Sequence, residues 1–160
     1  MQKETFGKFY EGDAYIVFNS SKKDDIHFWI GATASQDEYT VAAYKTVELD
    51  DLLGGGPIQH REVQGYESGI FKSYFKNGIQ ILDGGVPSGL NHVIINENIP
   101  KLFIVKGKIQ PIIRQVDPIA WNQFNDGDAF VLNAVEYVFV WFGKKANKFE
   151  KFQAAMVNTK

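Results

Sequence analysis

The chain has 160 residues and a formal net charge of −2, and 44% of its residues are hydrophobic, an ordinary share for a globular protein. It contains no cysteine, which excludes disulfides, thiolate catalysis and cysteine-built zinc sites. Residues 1–100 hold 8 Lys/Arg against 14 Asp/Glu, a balance of −6, whereas residues 101–160 hold 9 against 5, a balance of +4. The two parts therefore need not face the same surface of a partner.

Targeting signals and membrane spans are not predicted. No run of 18 apolar residues occurs, so the sequence predicts no transmembrane segment. Residues 1–15 lack the apolar stretch of a signal peptide. We therefore expect a cytoplasmic protein.

The predicted elements alternate between strands and helices. Ser35 with Glu38 three residues later is a capping box, which predicts the start of a long helix that ends near Leu53 at the glycines 54–56. Runs of β-branched and aromatic residues between turn residues predict the strands. In chain order we predict strands at 13–19 and 26–31, the long helix, a strand at 58–64, a short helix at 67–76, strands at 102–106, 109–116, 129–134 and 137–143, and a helix from 146.

One sequence pattern occurs twice. Residues 9–14 read Phe-Tyr-Glu-Gly-Asp-Ala and residues 124–129 read Phe-Asn-Asp-Gly-Asp-Ala. The apolar run at 26–31 likewise corresponds to the run at 138–143, and a glutamate follows seven residues after each of these runs. Matching residue types at matching offsets predict two copies of one structural unit.

The repeated carboxylates are candidate cation ligands. Asp13 at a strand start and Glu38 at a helix start can converge, and carbonyl groups of the glycine-rich loop at 84–89 would complete the all-oxygen shell that Ca²⁺ prefers. The alternative is that Asp13 is a turn residue and Glu38 only completes the capping box. The repetition of the pair as Asp128 and Glu150 favours the cation site, because the second helix start offers no serine with which Glu150 could form a box.

The long helix carries two stripes. Ala42, Thr46, Leu49 and Leu53 form an ordinary core face. The second stripe mixes apolar and acidic residues, which is typical of the anchor and rim of a helix that binds in a groove; a second buried contact within the domain is the alternative. This stripe consists of Asp37, Val41, Tyr44, Glu48 and Asp51.

The remaining charged and titratable groups indicate little chemistry. Asp50 and Asp51 precede the glycines 54–56, which is consistent with a second calcium site or with a simple helix stop. His27, His60 and His92 have no catalytic spacing, so we predict no enzymatic activity. The lysines at 144, 145, 148 and 151 predict a solvated face rather than a nucleic-acid site, since aromatic residues do not alternate with them.

Several motifs together carry a resemblance to a known family. In the first part they are Gly12-Asp13-Ala14-Tyr15, Phe28-Trp29-Ile30-Gly31, Ser35-Gln36-Asp37-Glu38, Val47-Glu48-Leu49-Asp50-Asp51, the run 59–65 (Gln-His-Arg-Glu-Val-Gln-Gly), Tyr74-Phe75-Lys76, Gly84-Gly85-Val86 and Leu102-Phe103 with Lys106-Gly107. In the second part they are Trp121, Phe124-Asn125, Gly127-Asp128, Trp141, Gly143, Asn147 and Phe149-Glu150. Residues 9–106 resemble the first domain of the gelsolin–severin–villin family, and residues 107–160 resemble the start of its second domain.

The resemblance implies an α+β fold with a central mixed sheet between a long and a short helix, divided into a domain at 1–106 and a truncated domain at 107–160. It also implies a cytoskeletal, calcium-regulated protein without enzymatic activity, which binds actin at the barbed-end cleft through the long helix and so sequesters, caps, nucleates or severs. The anchors would be Val41 and Tyr44. The implied calcium ligands are Gly12, Asp13, Glu38 and Val86 at a domain-intrinsic site, Asp50, Gly55 and Pro57 at a site shared with actin, and Gly127, Asp128 and Glu150 in the second unit.

The sequence departs from the family at three places. The leading strand of the first domain is missing, and the second unit lacks the third carboxylate of its calcium site. The stretch at 78–83 before Gly84 carries no lysine, which makes phosphoinositide binding doubtful. The rival interpretation is a calcium-dependent lipid-binding or scaffold module that uses the fold without actin.

Overall fold

A computed structural model describes residues 6–21, 23–85 and 98–157. Within these ranges the protein has nine strands, three α-helices and one 3₁₀ helix. In chain order they are β1 Lys8–Tyr10, β2 Ala14–Asn19, β3 Asp25–Ile30, α1 Gln36–Leu52, β4 Ile58–Val63, α2 Gly69–Ser73, β5 Ile79–Leu82, β6 Lys101–Lys106, β7 Ile112–Val116, the 3₁₀ helix Trp121–Gln123, β8 Ala129–Asn133, β9 Val138–Phe142 and α3 Lys148–Met156.

The strands form two sheets. In the three-stranded sheet, β3 lies between β2 and β4, antiparallel to the first and parallel to the second. The six-stranded sheet has the order β1-β5-β7-β6-β8-β9 and mixes parallel with antiparallel pairs. The fold is thus of the α+β class with mixed sheets, as the sequence predicts.

The three helices cover these sheets. Helix α1 packs on β2 and β3 and buries Ala42 and Thr46. Helix α2 places Phe71 against Phe9 of β1 and His27 of β3. Helix α3 packs on β6, β8 and β9. No helix in the part of the chain that the structure describes is long and apolar enough to span a membrane.

Two buried clusters form the core of the described part of the chain. The first is aromatic and aliphatic and joins β1, β3, α2 and β5: Phe9, Trp29, Phe71, Phe75, Ile79 and Ile81. The second lies between the sheet and α3 and consists of Phe103, Val105, Ile113, Ala129, Val131, Ala146 and Ala154. Both clusters contact the same six-stranded sheet, so the halves share a structural layer.

Most predicted elements are present, but several bounds differ. Helix α2 starts at Gly69 and not at residue 67, because Ser68 is its N-cap and accepts a hydrogen bond from the Phe71 N–H. The Glu67 carboxylate accepts from the Trp29 indole at 3.2 Å. Helix α3 starts at Lys148 and not at 146, and β7 starts at Ile112 and not at 109. The short strands β1 and β5 are not predicted by the sequence analysis.

Strand β6 ends the predicted first unit, and the sequence predicts no partner for it. In the structure, β6 lies between β7 and β8 and is antiparallel to both. Strand β7 in turn pairs with β5 of the first unit, so the sheet runs continuously from one half of the chain into the other.

Candidate functional site

The turn that holds Gly12 and Asp13 is fixed to the loop that leads into α1. The Gly31 N–H donates to the Asp13 carbonyl at 2.9 Å, and the Thr33 N–H donates to the Glu11 carbonyl at 2.9 Å. A side chain at Gly31 would collide with the Glu11 carbonyl. These backbone bonds place the start of α1 beside the Gly-Asp turn.

The second unit repeats this arrangement bond for bond. The Gly143 N–H donates to the Asp128 carbonyl at 3.0 Å, and the Lys145 N–H donates to the Asp126 carbonyl at 2.7 Å. Gly143, like Gly31, has no room for a side chain, because a Cβ there would collide with the backbone carbonyl groups of Asp126 and Asp128. The predicted repeat is therefore present in the backbone as well as in the sequence.

Both predicted ligands of the first unit also have structural partners. The Glu38 carboxylate accepts hydrogen bonds from the N–H and the hydroxyl of Ser35, each at 2.8 Å, which completes the predicted capping box. The Asp13 carboxylate accepts from the Tyr15 hydroxyl at 2.9 Å. Burial raises the pKa of Tyr15, so that hydroxyl keeps the proton it donates.

The glycine-rich loop approaches Gly12 closely. The Gly12 N–H donates to the Gly84 carbonyl at 2.8 Å, and a Cβ at Gly12 would lie 2.7 Å from that oxygen. The chain thus brings the segment before Val86 to the Gly-Asp turn. Val86 itself lies outside the described residues. The donor set of this region, carboxylates with backbone carbonyls, suits Ca²⁺.

The cap of the second helix corrects one argument from the sequence. Asn147, and not a serine, is the N-cap of α3, and its side chain accepts from the Glu150 N–H at 3.0 Å. The Glu150 carboxylate accepts from the Asn147 N–H at 2.9 Å, so the capping box is complete. The expectation that Glu150 had no partner for a box is therefore wrong, since asparagine caps helices as well as serine does.

The second pair of carboxylates is buried and already engaged. Asp128 and Glu150 are both buried. The Asp128 carboxylate accepts from the Asn125 amide at 2.9 Å and lies 3.5 Å from the Lys106 ammonium, while Glu150 also accepts from the Gly107 N–H at 3.0 Å. Gly127 lies in the turn just before Asp128. Because Lys106 already supplies a positive charge, the residues fit a cation less well here than in the first unit.

The end of α1 holds a carboxylate oxygen with unused hydrogen-bonding capacity. Asp50 Oδ2 accepts from the Gln59 amide at 2.7 Å, whereas Asp50 Oδ1 is buried and has no hydrogen-bond partner among the residues that the structure describes. The Asp50 carbonyl accepts from the Gly55 N–H at 2.9 Å, and Gly55 takes a φ of 70° in the turn that leads to the buried Pro57. An unpartnered buried carboxylate oxygen costs free energy, and a cation at this point would remove that cost.

The outward face of α1 is exposed and partly apolar. The side chains of Val41 and Tyr44 are 54% and 65% exposed. The alternative of a second buried contact within the described part of the domain is therefore wrong. The acidic residues of the stripe flank these two side chains, and one of them, Glu48, pairs with Lys45 at 2.6 Å. Asp37 lies in the first turn of α1 and Asp51 in its last.

Two histidines form a pair that the sequence does not predict. His27 and His60 occupy directly opposed positions on β3 and β4, and their rings stack with centroids 4.4 Å apart. Their separation in the sequence carries no signal. Only the parallel register of the two strands brings them together.

Comparisons with known proteins identify the family. The family model of the gelsolin repeat matches residues 1–72 and 112–160. The chain is 46% identical to "Gelsolin-like protein 1" of Lumbricus terrestris over 156 residues, which is 92% of this chain and 42% of that protein. It is 46% identical to "Gelsolin, cytoplasmic" of Homarus americanus over 158 residues, which is 95% of this chain and 21% of that protein. The chain therefore spans less than half the length of either relative.

Among solved structures, the crystal structure of the Thorarchaeota 2DGel3/rabbit actin complex matches with a TM-score of 0.46 and 27% identity, over 94% of this chain and 74% of that one. Neither the family nor these proteins carry the name of an enzyme. The family match covers more than half of the sequence, and the repeated backbone geometry around Gly31 and Gly143 agrees with it. The chain belongs to the gelsolin-repeat family.

Proposed function

We propose that this chain is a calcium-dependent actin-binding protein, and that α1 occupies the hydrophobic cleft at the barbed end of actin. The observation that carries this proposal is the exposed apolar pair Val41 and Tyr44 on a helix whose opposite face, at Ala42 and Thr46, is buried. Large apolar side chains that the described part of the fold leaves exposed next to one another are typical of a binding face.

The composition of the face fits a helix that binds in a groove. An apolar anchor within an acidic rim gives affinity through the buried centre and orientation through the rim. Tyrosine is favoured at such centres because it buries a large area and loses few rotamers. The rim consists of Asp37, Glu48 and Asp51.

Calcium dependence follows from the carboxylates at both ends of α1. When bound, Ca²⁺ neutralises the negative charge of these carboxylates. At the N-terminal end, Asp13 and Glu38 with the carbonyl groups of Gly12 and Val86 would hold a domain-intrinsic ion and stiffen the junction between α1 and the Gly-Asp turn. At the C-terminal end, Asp50 with carbonyl groups of the Gly55–Pro57 turn would hold an ion shared with the partner, and the unpartnered Asp50 Oδ1 supports this assignment. Bound calcium would thereby fix the position of α1 and contribute to its contact with actin.

A third ion in the second unit would use the Gly127 turn with Asp128 and Glu150. Lys106 lies beside Asp128, so we expect this site to be the weakest of the three. The consequence for filaments is sequestering, capping, nucleation or severing in the cytoplasm. Severing requires a further contact on the side of the filament, which α1 alone does not provide.

A cleft between the two halves favours the rival function. Its volume is about 260 Å³, and the residues that line it include Lys72, Lys76, Phe149 and Phe152. Cationic and aromatic groups together suit an anionic amphiphile. A module that binds lipid without actin would use this cleft and leave Val41 and Tyr44 uncovered.

The substitution Tyr44→Ala tests the proposal. Because the Tyr44 side chain lies outside the core, the variant should fold normally, yet lose about 1–3 kcal/mol of actin-binding free energy if Tyr44 is an anchor. Tyr66→Ala is the matched control, because Tyr66 is 87% exposed and lies outside the helix.

Binding is measured by co-sedimentation with actin in calcium, and folding by thermal denaturation. Equal actin affinity in Tyr44→Ala and Tyr66→Ala would remove α1 from the interface. Vesicles with an anionic headgroup, in a parallel sedimentation, decide whether the cleft supplies the rival function.

A further inference from the structure

A polar network lies between β3, β4 and α2, away from the carboxylates of the Gly-Asp turn. Asp25 and His27 belong to β3 and His60 to β4. The parallel register sets His27 opposite His60, with the ring planes 14° apart. Tyr74, the C-cap of α2, brings its hydroxyl to within 3.2 Å of Asp25 and 3.3 Å of His27.

Three of these residues present ligand atoms to a common point. One carboxylate oxygen of Asp25 and one ring nitrogen from each of His27 and His60 lie within 4.8 Å of one another. We propose that Asp25, His27 and His60 form a binding site for a zinc-like transition-metal ion. Two imidazoles with one carboxylate leave a fourth position for water, as tetrahedral zinc accepts.

The hydrogen bonds of His27 leave its other nitrogen ready to bind a metal. The Glu62 carboxylate accepts hydrogen bonds from the N–H and the hydroxyl of Ser68, each at 2.7 Å, and lies 2.9 Å from His27 Nδ1. We assign the ring proton of His27 to Nδ1, where it donates to this carboxylate. This tautomer leaves the lone pair of His27 on Nε2. A carboxylate that orients a histidine in this way is the usual outer partner of a metal ligand.

The network also holds more acceptors than protons. The Tyr74 hydroxyl has a single proton, yet both the Asp25 carboxylate and His27 Nε2 lie within hydrogen-bond distance of it. If the proton goes to Asp25, the lone pair of the buried His27 Nε2 faces the phenolic oxygen. A buried acceptor without a donor is costly, and a cation between these groups would satisfy it.

The ligand atoms indicate the class of ion. Two of the three are imidazole nitrogens, and nitrogen ligands suit Zn²⁺ and related transition-metal ions. Calcium is a poor candidate, because it prefers about six to eight oxygen ligands.

The site has an entrance and one movable wall. The His60 and Asp25 side chains are 27% and 16% exposed, whereas that of His27 is fully buried. His60 Nε2–H now donates to Asp25 at 2.9 Å. On binding, His60 changes tautomer, so that its single ring proton passes through solvent from Nε2 to Nδ1, and the ring tilts so that the two Nε2 lone pairs converge on the metal. The buried His27 is the fixed point of the site.

Calorimetric titration of the calcium-saturated full chain with ZnCl₂ tests this proposal. The wild type should bind one Zn²⁺ at this site, and His60→Gln should lower the affinity at least about tenfold, as changes around metal sites commonly do. Asp25→Asn should weaken binding in the same direction. His92→Gln, which removes the third histidine of the chain, is the matched control and should leave Zn²⁺ binding unchanged.

A second measurement does not depend on any variant. Co²⁺ added to the wild type should give the intense visible absorption of a tetrahedral nitrogen–oxygen site, and Zn²⁺ should abolish it by displacement. The proposal is overturned if the wild type binds no Zn²⁺ and shows no such absorption, or if His60→Gln binds Zn²⁺ as tightly as His92→Gln does. Calcium affinity should be the same in all these proteins, which separates this site from the calcium sites.

Discussion

The Glu38 carboxylate has two roles. It closes the capping box of α1 by accepting from Ser35, and it is the helix ligand of the proposed intrinsic calcium site. A carboxylate has about four lone-pair positions, so the hydrogen bonds to Ser35 do not exhaust its capacity for an ion. The helix start and the ion would thus stabilise each other.

Replacing Glu38 by glutamine separates these roles. Glutamine still closes a capping box, so α1 should keep its stability, but the site loses a negative charge. We expect the affinity of one class of calcium site to fall at least about tenfold, or 1.4 kcal/mol, as measured by calorimetry. Glu136→Gln removes the same charge from the exposed turn before β9 and should change nothing. Unchanged calcium binding in Glu38→Gln would refute the intrinsic site.

At this scale the sequence predicts some features well and others not at all. The Ser35–Glu38 box is local, so four residues suffice to predict it. The exposure of Tyr44 depends on what packs against α1, and the sequence therefore left two alternatives. The pairing of His27 with His60 depends on strand register, which no local pattern contains.

Among the elements, α1 and α3 start in the same way, although their caps differ. Ser35 caps α1 and Asn147 caps α3, and each forms a box with the glutamate three residues later. Asn147 does more than a serine could, because its amide also donates to the Gly107 carbonyl at 2.9 Å. This bond ties the start of α3 to the end of β6.

Removal of the second cap should destabilise the protein. Asn147→Ala loses the acceptor for the N–H groups of Phe149 and Glu150, and we expect a loss of about 1–2 kcal/mol in the free energy of unfolding. Asn147→Ser should recover most of this loss, because serine also caps. Urea denaturation of the full chain measures both. If the alanine variant is as stable as the wild type, the box contributes nothing to folding.

Long elements are predicted better than short ones. Helix α1 has a cap, a stop and a clear core face, so its bounds agree with the prediction almost to the residue. Strands β1 and β5 have three and four residues, too few to show a period. They exist because each finds a partner in the sheet: β5 lies between β1 and β7. Tertiary pairing decides such segments.

For the whole molecule, the six-stranded sheet is the main structural constraint. Strands of both halves alternate in it: β5 of the first half pairs with β7, and β6 pairs with both β7 and β8. An open edge on β7 would expose unpaired backbone groups, and the pairing with β5 covers that edge. A cut at residue 106, the predicted domain boundary, would remove β6 from between its two partners.

The fragment 107–160 should therefore be largely unfolded. It retains β7, β8, β9 and α3, but β7 has lost both neighbours, and too little sheet remains for independent stability. A fragment that begins at residue 98 restores β6 and should be the more structured of the two by circular dichroism. The fragment 1–106 should keep the calcium binding of the intrinsic site. A cooperative thermal transition in the isolated 107–160 fragment would show that it folds alone.

In the proposed function, calcium switches the binding of actin through α1. Polymerisation of fluorescently labelled actin, followed with the full chain in calcium and again with a calcium chelator, tests this claim most directly. We predict that the chain changes the rate or the extent of polymerisation in calcium and that the change disappears with the chelator. An unchanged polymerisation curve in calcium, or the same change in both conditions, would contradict the account.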